Sequence, residues 1–490
     1  MTKPIGVCLG MLAMALGIVG APAARAQNRM AASGGGGATE TNTTATAAAP
    51  AAPSPTDLRQ RIDALKAELA DLNTELAAAN DQEPAASTTE APQDQSGPTP
   101  APATPAQGAT PAPAAAAPMP LPTPSMSGPL ATGIPHELPA GPFGKIEITG
   151  ILSGIGLFNN NPVVHGDEGH VDISNAQIFI QKTTGMFQFY LQGGAYNVPV
   201  VGVQFAKTGP TTTGLFGPFP VGYVKLVKGN FNIEIGALPT LVGDEYTFTF
   251  ENMNVERGLL WNQEQAVSRG IQLNEVYKKV TLALSWNDNF YSDRYTALSG
   301  SLAYAVNAAN TITFVGAGNA GNTYVRTGPA NSPPVAATAA YQNNEQVYNL
   351  IYTYTKGNLI ISPYYQYTVV KSDPIYSSFL LSPTGAHTNG GALLANYNFK
   401  HGFSLAVRPE YIKSSGSVAT GEANLLGYGS GTGAFAFTVT PTWVKDAFFL
   451  RGDVSIVHLT NFVAGSSIGF GINGTSTNQT RGVIEAGFMF

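Results

Sequence analysis

Cysteine is all but missing: the single thiol, Cys8, lies in the N-terminal apolar stretch. A disulfide framework, thiol catalysis and any Cys-based metal site are thereby excluded from the rest of the chain. Charge is scarce too, with 11 % of residues ionisable as Asp, Glu, Lys or Arg, against roughly 25 % in soluble domains. At a net charge of −6 no basic surface can replace phosphate counterions, so a nucleic-acid partner is excluded. After residue 26 no apolar run reaches the length of about 18 residues that a spanning helix needs. If the chain enters a membrane, it must do so as a closed sheet.

The stretch 1–26 begins with Lys3, continues as an apolar run from Ile5 to Val19 and ends in Ala24-Arg25-Ala26, the layout of a cleaved secretory signal. Residues 27–55 are Ala, Thr, Gly and Pro and cannot bury enough surface to fold, so they read as a disordered tether. Leu58, Ile62, Leu65, Leu69, Leu72 and Leu76 then recur at heptad spacing, which predicts a short coiled-coil helix over 56–80. An amphipathic helix lying on its own protein would give the same pattern, but the flanking tethers offer nothing to cover the Leu stripe. Leucine at nearly all core positions leaves a dimer possible; Arg61 facing Lys66 in a parallel dimer favours a homotrimer. Residues 81–142, rich in Pro, Ala and Thr, read as a semi-stiff linker.

From residue 143 to 490 the pattern changes to alternating segments, sixteen by count, at 145–158, 171–182, 186–196, 220–228, 230–238, 267–277, 280–290, 297–306, 311–318, 345–355, 358–370, 389–399, 402–414, 432–444, 447–459 and 480–490. Seven short connections, six of them carrying Lys, alternate with eight long ones. An even strand number with one short-turned and one long-looped rim predicts an all-β fold, a 16-stranded antiparallel transmembrane β-barrel. Phe187, Phe189 and Leu191 alternate with Gln188, Tyr190 and Gln192, and Val280, Leu282, Leu284 and Trp286 with Thr281, Ala283, Ser285 and Asn287. The first set in each case would face outer-membrane lipid and the second the lumen. Phe231, Tyr277, Tyr354, Phe399, Phe403, Trp443 and Phe448, all near short turns, would form an aromatic girdle.

A barrel of this size holds water unless something fills it. The longest connection, 239–266, carries Asp244, Glu245, Glu251, Glu256 and Glu264 against one Arg257, with Tyr246, Phe248, Phe250 and Trp261. So acidic and aromatic a loop is expected to fold inward and narrow the pore; capping the outer rim or contacting another subunit is the alternative. On the wall, Arg408 and Glu410, Arg451 and Asp453, and Arg481 and Glu485 share the lumen parity of their strands. They would either set a transverse field against the acidic loop or neutralise one another and stiffen the barrel.

The stretch Gly236-Ala237-Leu238-Pro239-Thr240-Leu241-Val242-Gly243-Asp244-Glu245, with Asn252 to Trp261 and Ser268-Arg269-Gly270-Ile271, resembles the OmpL-like outer-membrane β-barrel porins. The resemblance covers residues 143–490 and implies passive uptake of small hydrophilic solutes; the helix ahead of the barrel is similar to the periplasmic coiled coils of some trimeric porins. A structural envelope protein, anchored by the barrel and assembled through the coiled coil, is the competing reading. Catalysis is not expected, because none of His136, His165, His170, His387, His401 and His458 has a nucleophile and an orienting partner in view. No cofactor or metal site is expected either, since the ligand spacing from Asn159 to Glu168 reads as a solvated loop.

Overall fold

The computed structural model describes residues 128–130, 135–320, 324–326, 334–336, 345–371, 385–417, 422 and 424–490. The expected signal, the tether, the coiled coil and most of the linker therefore lie outside the described residues.

The barrel strands are β2 (Lys145–Asn160), β3 (Gly169–Lys182), β4 (Phe187–Tyr196), β5 (Val221–Lys228), β6 (Phe231–Pro239), β7 (Val267–Tyr277), β8 (Val280–Asn287), β9 (Ala297–Asn307) and β10 (Asn310–Asn319), followed by β13 (Glu345–Lys356), β14 (Leu359–Val370), β15 (Ala386–Asn398), β16 (Phe403–Ser414), β17 (Gly433–Lys445), β18 (Phe448–Thr460) and β19 (Asn478–Met489). Each pairs antiparallel with the next, and β19 pairs with β2 from Thr480↔Asn160 to Met489↔Ile151, so the sixteen strands close into a ring. Two further strands, β11 (Tyr324–Arg326) and β12 (Pro334–Ala336), form a hairpin in the long connection before β13. One strand precedes the ring, β1 (His136–Pro139), and one short helix, α1 (Thr208–Gly214), lies between β4 and β5.

Strand alternation decides which side of the wall each residue takes. Phe187, Leu191, Leu282, Leu284, Trp286, Phe435, Phe437, Ile484 and Phe488 are exposed, whereas Gln192, Ser285, Asn287, Thr438, Thr440 and Thr442 are buried. Apolar outside and polar inside is the reverse of a water-soluble sheet; such an exterior is stable only against hydrocarbon. No helix among the described residues is long and apolar enough to cross a membrane.

The short turns gather on one rim. They rely on left-handed backbone at Gly229 (φ 62°) and Gly357 (φ 60°), and accept it without glycine at Lys278 (φ 55°) and Asp446 (φ 54°). Just above them runs a chain of aromatic contacts: Phe403 to Trp443 at 6.3 Å, Trp443 to Phe448 at 5.9 Å and Phe448 to Phe488 at 5.4 Å between ring centres. This is part of the expected girdle, made continuous by cross-strand pairing.

The sheet begins earlier than the sequence pattern indicates. Residues 136–139, read as the end of a linker, pair with β2 from His136↔Ile148 to Pro139↔Lys145. The alternation missed them because the strand is only four residues long and exposed throughout, so it carries no two-faced pattern.

Candidate functional site

The connection from β6 to β7 does not project outward; it runs through the barrel and is bonded to the inner wall on many sides. Three wall arginines hold it. Arg408 on β16 pairs with Glu245 and donates to the Glu256 carbonyl at 2.7 Å, while its Nε reaches Glu410 at 3.3 Å. Arg451 on β18 donates to the carbonyl oxygens of Thr249 (2.9 Å), Asn252 (2.8 Å) and Met253 (2.9 Å), with Glu485 at 3.7 Å. Arg481 on β19 pairs with Glu256 at 2.7 Å and also donates to Asn159.

The wall carboxylates grip from the same side. Glu410 accepts the Leu259 N–H at 2.7 Å, Asp453 accepts the Glu256 N–H at 2.7 Å, and Glu485 accepts the Thr249 hydroxyl at 2.7 Å. Asn254 donates to Thr440 at 2.6 Å and Ser455 to Glu256 at 2.9 Å. Around the rest of the ring, Asn349 on β13 accepts the Gly243 N–H at 3.1 Å, Gln366 on β14 donates to the Leu260 carbonyl at 3.0 Å, Thr388 on β15 to Gln263 at 2.6 Å, and Gln265 reaches Ser299 on β9 at 3.0 Å. The loop thus bridges facing walls of the barrel.

These are buried ion pairs. Arg408, Arg451, Arg481, Glu256 and Glu485 are each at most 1 % exposed. Taking such charges out of water is costly and is compensated only where every proton and lone pair finds a partner, so several partners per guanidinium are what the burial demands. Arg257 turns back on its own loop, donating to the carbonyls of Thr247 (3.1 Å), Asn254 (3.3 Å) and Val255. Glu251 likewise accepts the Phe248 N–H at 3.0 Å within its own turn.

Of the charged loop residues, Asp244 alone is not buried; Pro239, Leu241, Gly243 and Tyr246 are likewise half-buried and Asn262 is exposed. Burial by the surrounding walls pushes its carboxyl up to about 7, with Glu245 adding to the effect and a hydrogen bond from Ser362 opposing it. Glu264, whose Oε1 lies 3.4 Å from the Tyr364 hydroxyl, is raised well above the carboxylate range by burial and by Glu245 and Asp244.

A second connection, 197–220, is drawn in beside the first. Val201 N–H donates to the Arg257 carbonyl at 3.0 Å and Arg257 N–H to Pro199 at 2.8 Å, while Arg481 also holds the Val200 (2.8 Å) and Val203 (2.7 Å) carbonyls. Its Val198, Val200, Val201, Leu215 and Phe216 are buried.

Residues 145–490 match the family model described as "Putative beta-barrel porin-2, OmpL-like". The chain belongs to the OmpL-like β-barrel porin-2 family. It is an outer-membrane channel protein of the porin type. No curated protein matches this porin. Among solved structures it is similar to the anion-selective porin of Comamonas acidovorans (11 % identity, 70 % of this chain and 99 % of that chain covered, TM-score 0.46). It is similar also to OmpF of Salmonella typhi, solved in complex with daunomycin (11 % identity, 72 % and 100 %, TM-score 0.45), and to the outer-membrane channel DcaP of Acinetobacter baumannii (7 % identity, 70 % and 97 %, TM-score 0.44). At these distances no property of those proteins carries over.

In this porin all six wall residues singled out from sequence, Arg408, Glu410, Arg451, Asp453, Arg481 and Glu485, face inward and are buried. They bond the loop directly instead of facing it across open water. Unnoticed in the sequence were Asn175, which donates to the Thr249 hydroxyl at 2.6 Å, Thr249 itself and Ser455, together with the whole of the second inward connection. That connection carries almost no charge, and its only sequence signal is a cluster of valines and phenylalanines in an outer loop. Of the histidines, His458 sits on the outward face and contacts Asn478 at 2.8 Å. Among the described residues no group of three His, Cys, Asp or Glu side chains is placed to hold a metal ion.

Proposed function

We propose that this porin passes small hydrophilic solutes by passive diffusion, with loop 239–266 as the element that narrows its lumen. The observation that carries the reading is the grip of three buried arginines on a loop whose one charged residue that is not buried is Asp244. A loop so held keeps its shape against solute collisions, as a size-limiting element must. In this reading Asp244 lines the passage, while Glu245, Glu251, Glu256 and Arg257, with the wall residues Arg408, Glu410, Arg451, Asp453, Arg481 and Glu485, fix its outline. The N-terminal region lies in the periplasm, and the heptads of 56–80 join three copies into a homotrimer; the Leu stripe and the Arg61/Lys66 clash of a parallel dimer support this.

Planar-bilayer recording tests the proposal. Discrete ohmic steps are expected from the full chain, and larger steps once residues 240–266 are replaced by a short Gly/Ser connection. Steps of unchanged size would remove the loop from its assigned role, and electrical silence of both proteins would favour a structural envelope protein anchored by its barrel. Mass measurement in mild detergent, with and without residues 56–80, reads the assembly directly.

A further inference from the structure

Ahead of the ring, two pieces of chain are built into the barrel. β1 continues along the edge of β2 where the last strand runs out: Gly150 N–H donates to the Phe490 carbonyl at 2.7 Å, and the β1 pairing begins at Ile148. Further upstream, Leu130 is 4 % exposed within the apolar cluster that contains Ile151, Phe179, Phe449 and Met489, inward-facing residues of β2, β3, β18 and β19, together with Phe250 of the loop. The Gly128 N–H donates to the Glu251 carbonyl at 3.3 Å. Gly128 has no room for a side chain, since a Cβ there would stand 2.3 Å from the Asn252 carbonyl oxygen.

That turn, Thr249 to Met253, is the one Arg451 holds from the wall through three carbonyls. It is therefore held from two directions, by a guanidinium on β18 and by the segment Gly128–Leu130.

We propose that Gly128–Leu130 is a strap inside the lumen, seated against the turn Thr249–Met253, which takes up part of the passage and widens it when withdrawn. Among the described residues, one backbone hydrogen bond and one buried leucine hold it there. The wall's grip on the loop, by contrast, uses buried charge. A pull on the N-terminal arm would free the strap long before it disturbed the loop, which is what a device that changes the opening without unfolding the barrel requires. The inference rests on the reading of loop 239–266 as the narrowing element.

Two measurements on the full-length protein test it. In a Cys8→Ser background, a Leu130→Cys substitution is labelled by a water-soluble maleimide. Slow labelling is expected, and rapid labelling once Gly128→Trp is added, because the indole cannot fit beside Asn252. Labelling as fast as at an exposed position such as Val463 would overturn the proposal. In bilayers, Gly128→Trp and Leu130→Asp should each shift the unitary conductance upward. If those steps match the wild type while the loop-replaced protein conducts more, the strap is refuted and the constriction stands. If the loop-replaced protein gains nothing, the constriction reading fails and the strap falls with it.

Discussion

The sharpest test of the lumen's electrostatics is a one-atom change, Asp244→Asn. Glu245 is matched by Arg408, Glu256 by Arg481, and Glu264 is buried with its carboxyl raised, which leaves Asp244 as the loop's charged residue that is not buried. A unit charge about 6 Å from an ion's path in a water-like medium is worth about 0.7 kcal/mol. That is an enrichment of cations by about threefold and a depletion of anions by about threefold, or a permeability ratio of about ten. The carboxyl titrates near 7, raised mainly by burial. A raised acid is neutral below that value and charged above it, so cation preference should be weak in acid and grow as the pH passes upward through about 7. The groups around it, Glu245 and Glu264 on the loop with Ser362 and Tyr364 on β14, include no cation. The assay is the reversal potential in a KCl gradient, read well below and well above neutrality. The wild type should shift toward the cation potential with rising pH, and Asp244→Asn should stay flat and near zero. A wild type without that shift, or an Asp244→Asn protein that retains it, would refute the reasoning.

Replacing Arg408 by Met leaves Glu245 and Glu410 buried without their cation, a loss on the order of 3–5 kcal/mol. It should appear as a lower unfolding temperature in detergent and as noisy, enlarged conductance steps, since the same guanidinium holds the loop. On the outer wall, Ile484→Lys puts a charge at a residue that is 63 % exposed to the surroundings. If that face meets lipid, refolding into bilayers should lose roughly 2–4 kcal/mol, while folding in detergent with looser packing suffers less; an equal effect in both would argue against a hydrocarbon-facing surface.

Much of this architecture is legible in the sequence because its causes are local. Strand alternation and turn chemistry set the sixteen strands, and the predicted 267–277 coincides with β7 to the residue. Parity alone placed Arg408, Arg451 and Arg481 inside. Their partners were not legible. Which carbonyl a guanidinium meets depends on the path of a loop with no regular structure, and the Arg451 bonds to Thr249, Asn252 and Met253 use backbone atoms that every residue has. The connection 197–220 escaped notice for a related reason: buried valine and phenylalanine in a loop look the same in sequence whether they pack inward or meet a neighbour. Gly128 and Leu130 were hidden in a stretch whose Pro/Ala composition masks two specific contacts.

β1 has a bearing on how such a cylinder comes to be assembled. Ring closure joins Ile151 to Met489, so the seam cannot form until β19 has been made, and a seam between segments so far apart in the chain is slow to find. Meanwhile the first stave has a free side that any passing strand could adopt. A neighbour only a few residues away, His136 to Pro139, can fold onto the start of that side at once. It blocks one end against wrong partners while leaving open the length that the terminal segment must eventually occupy.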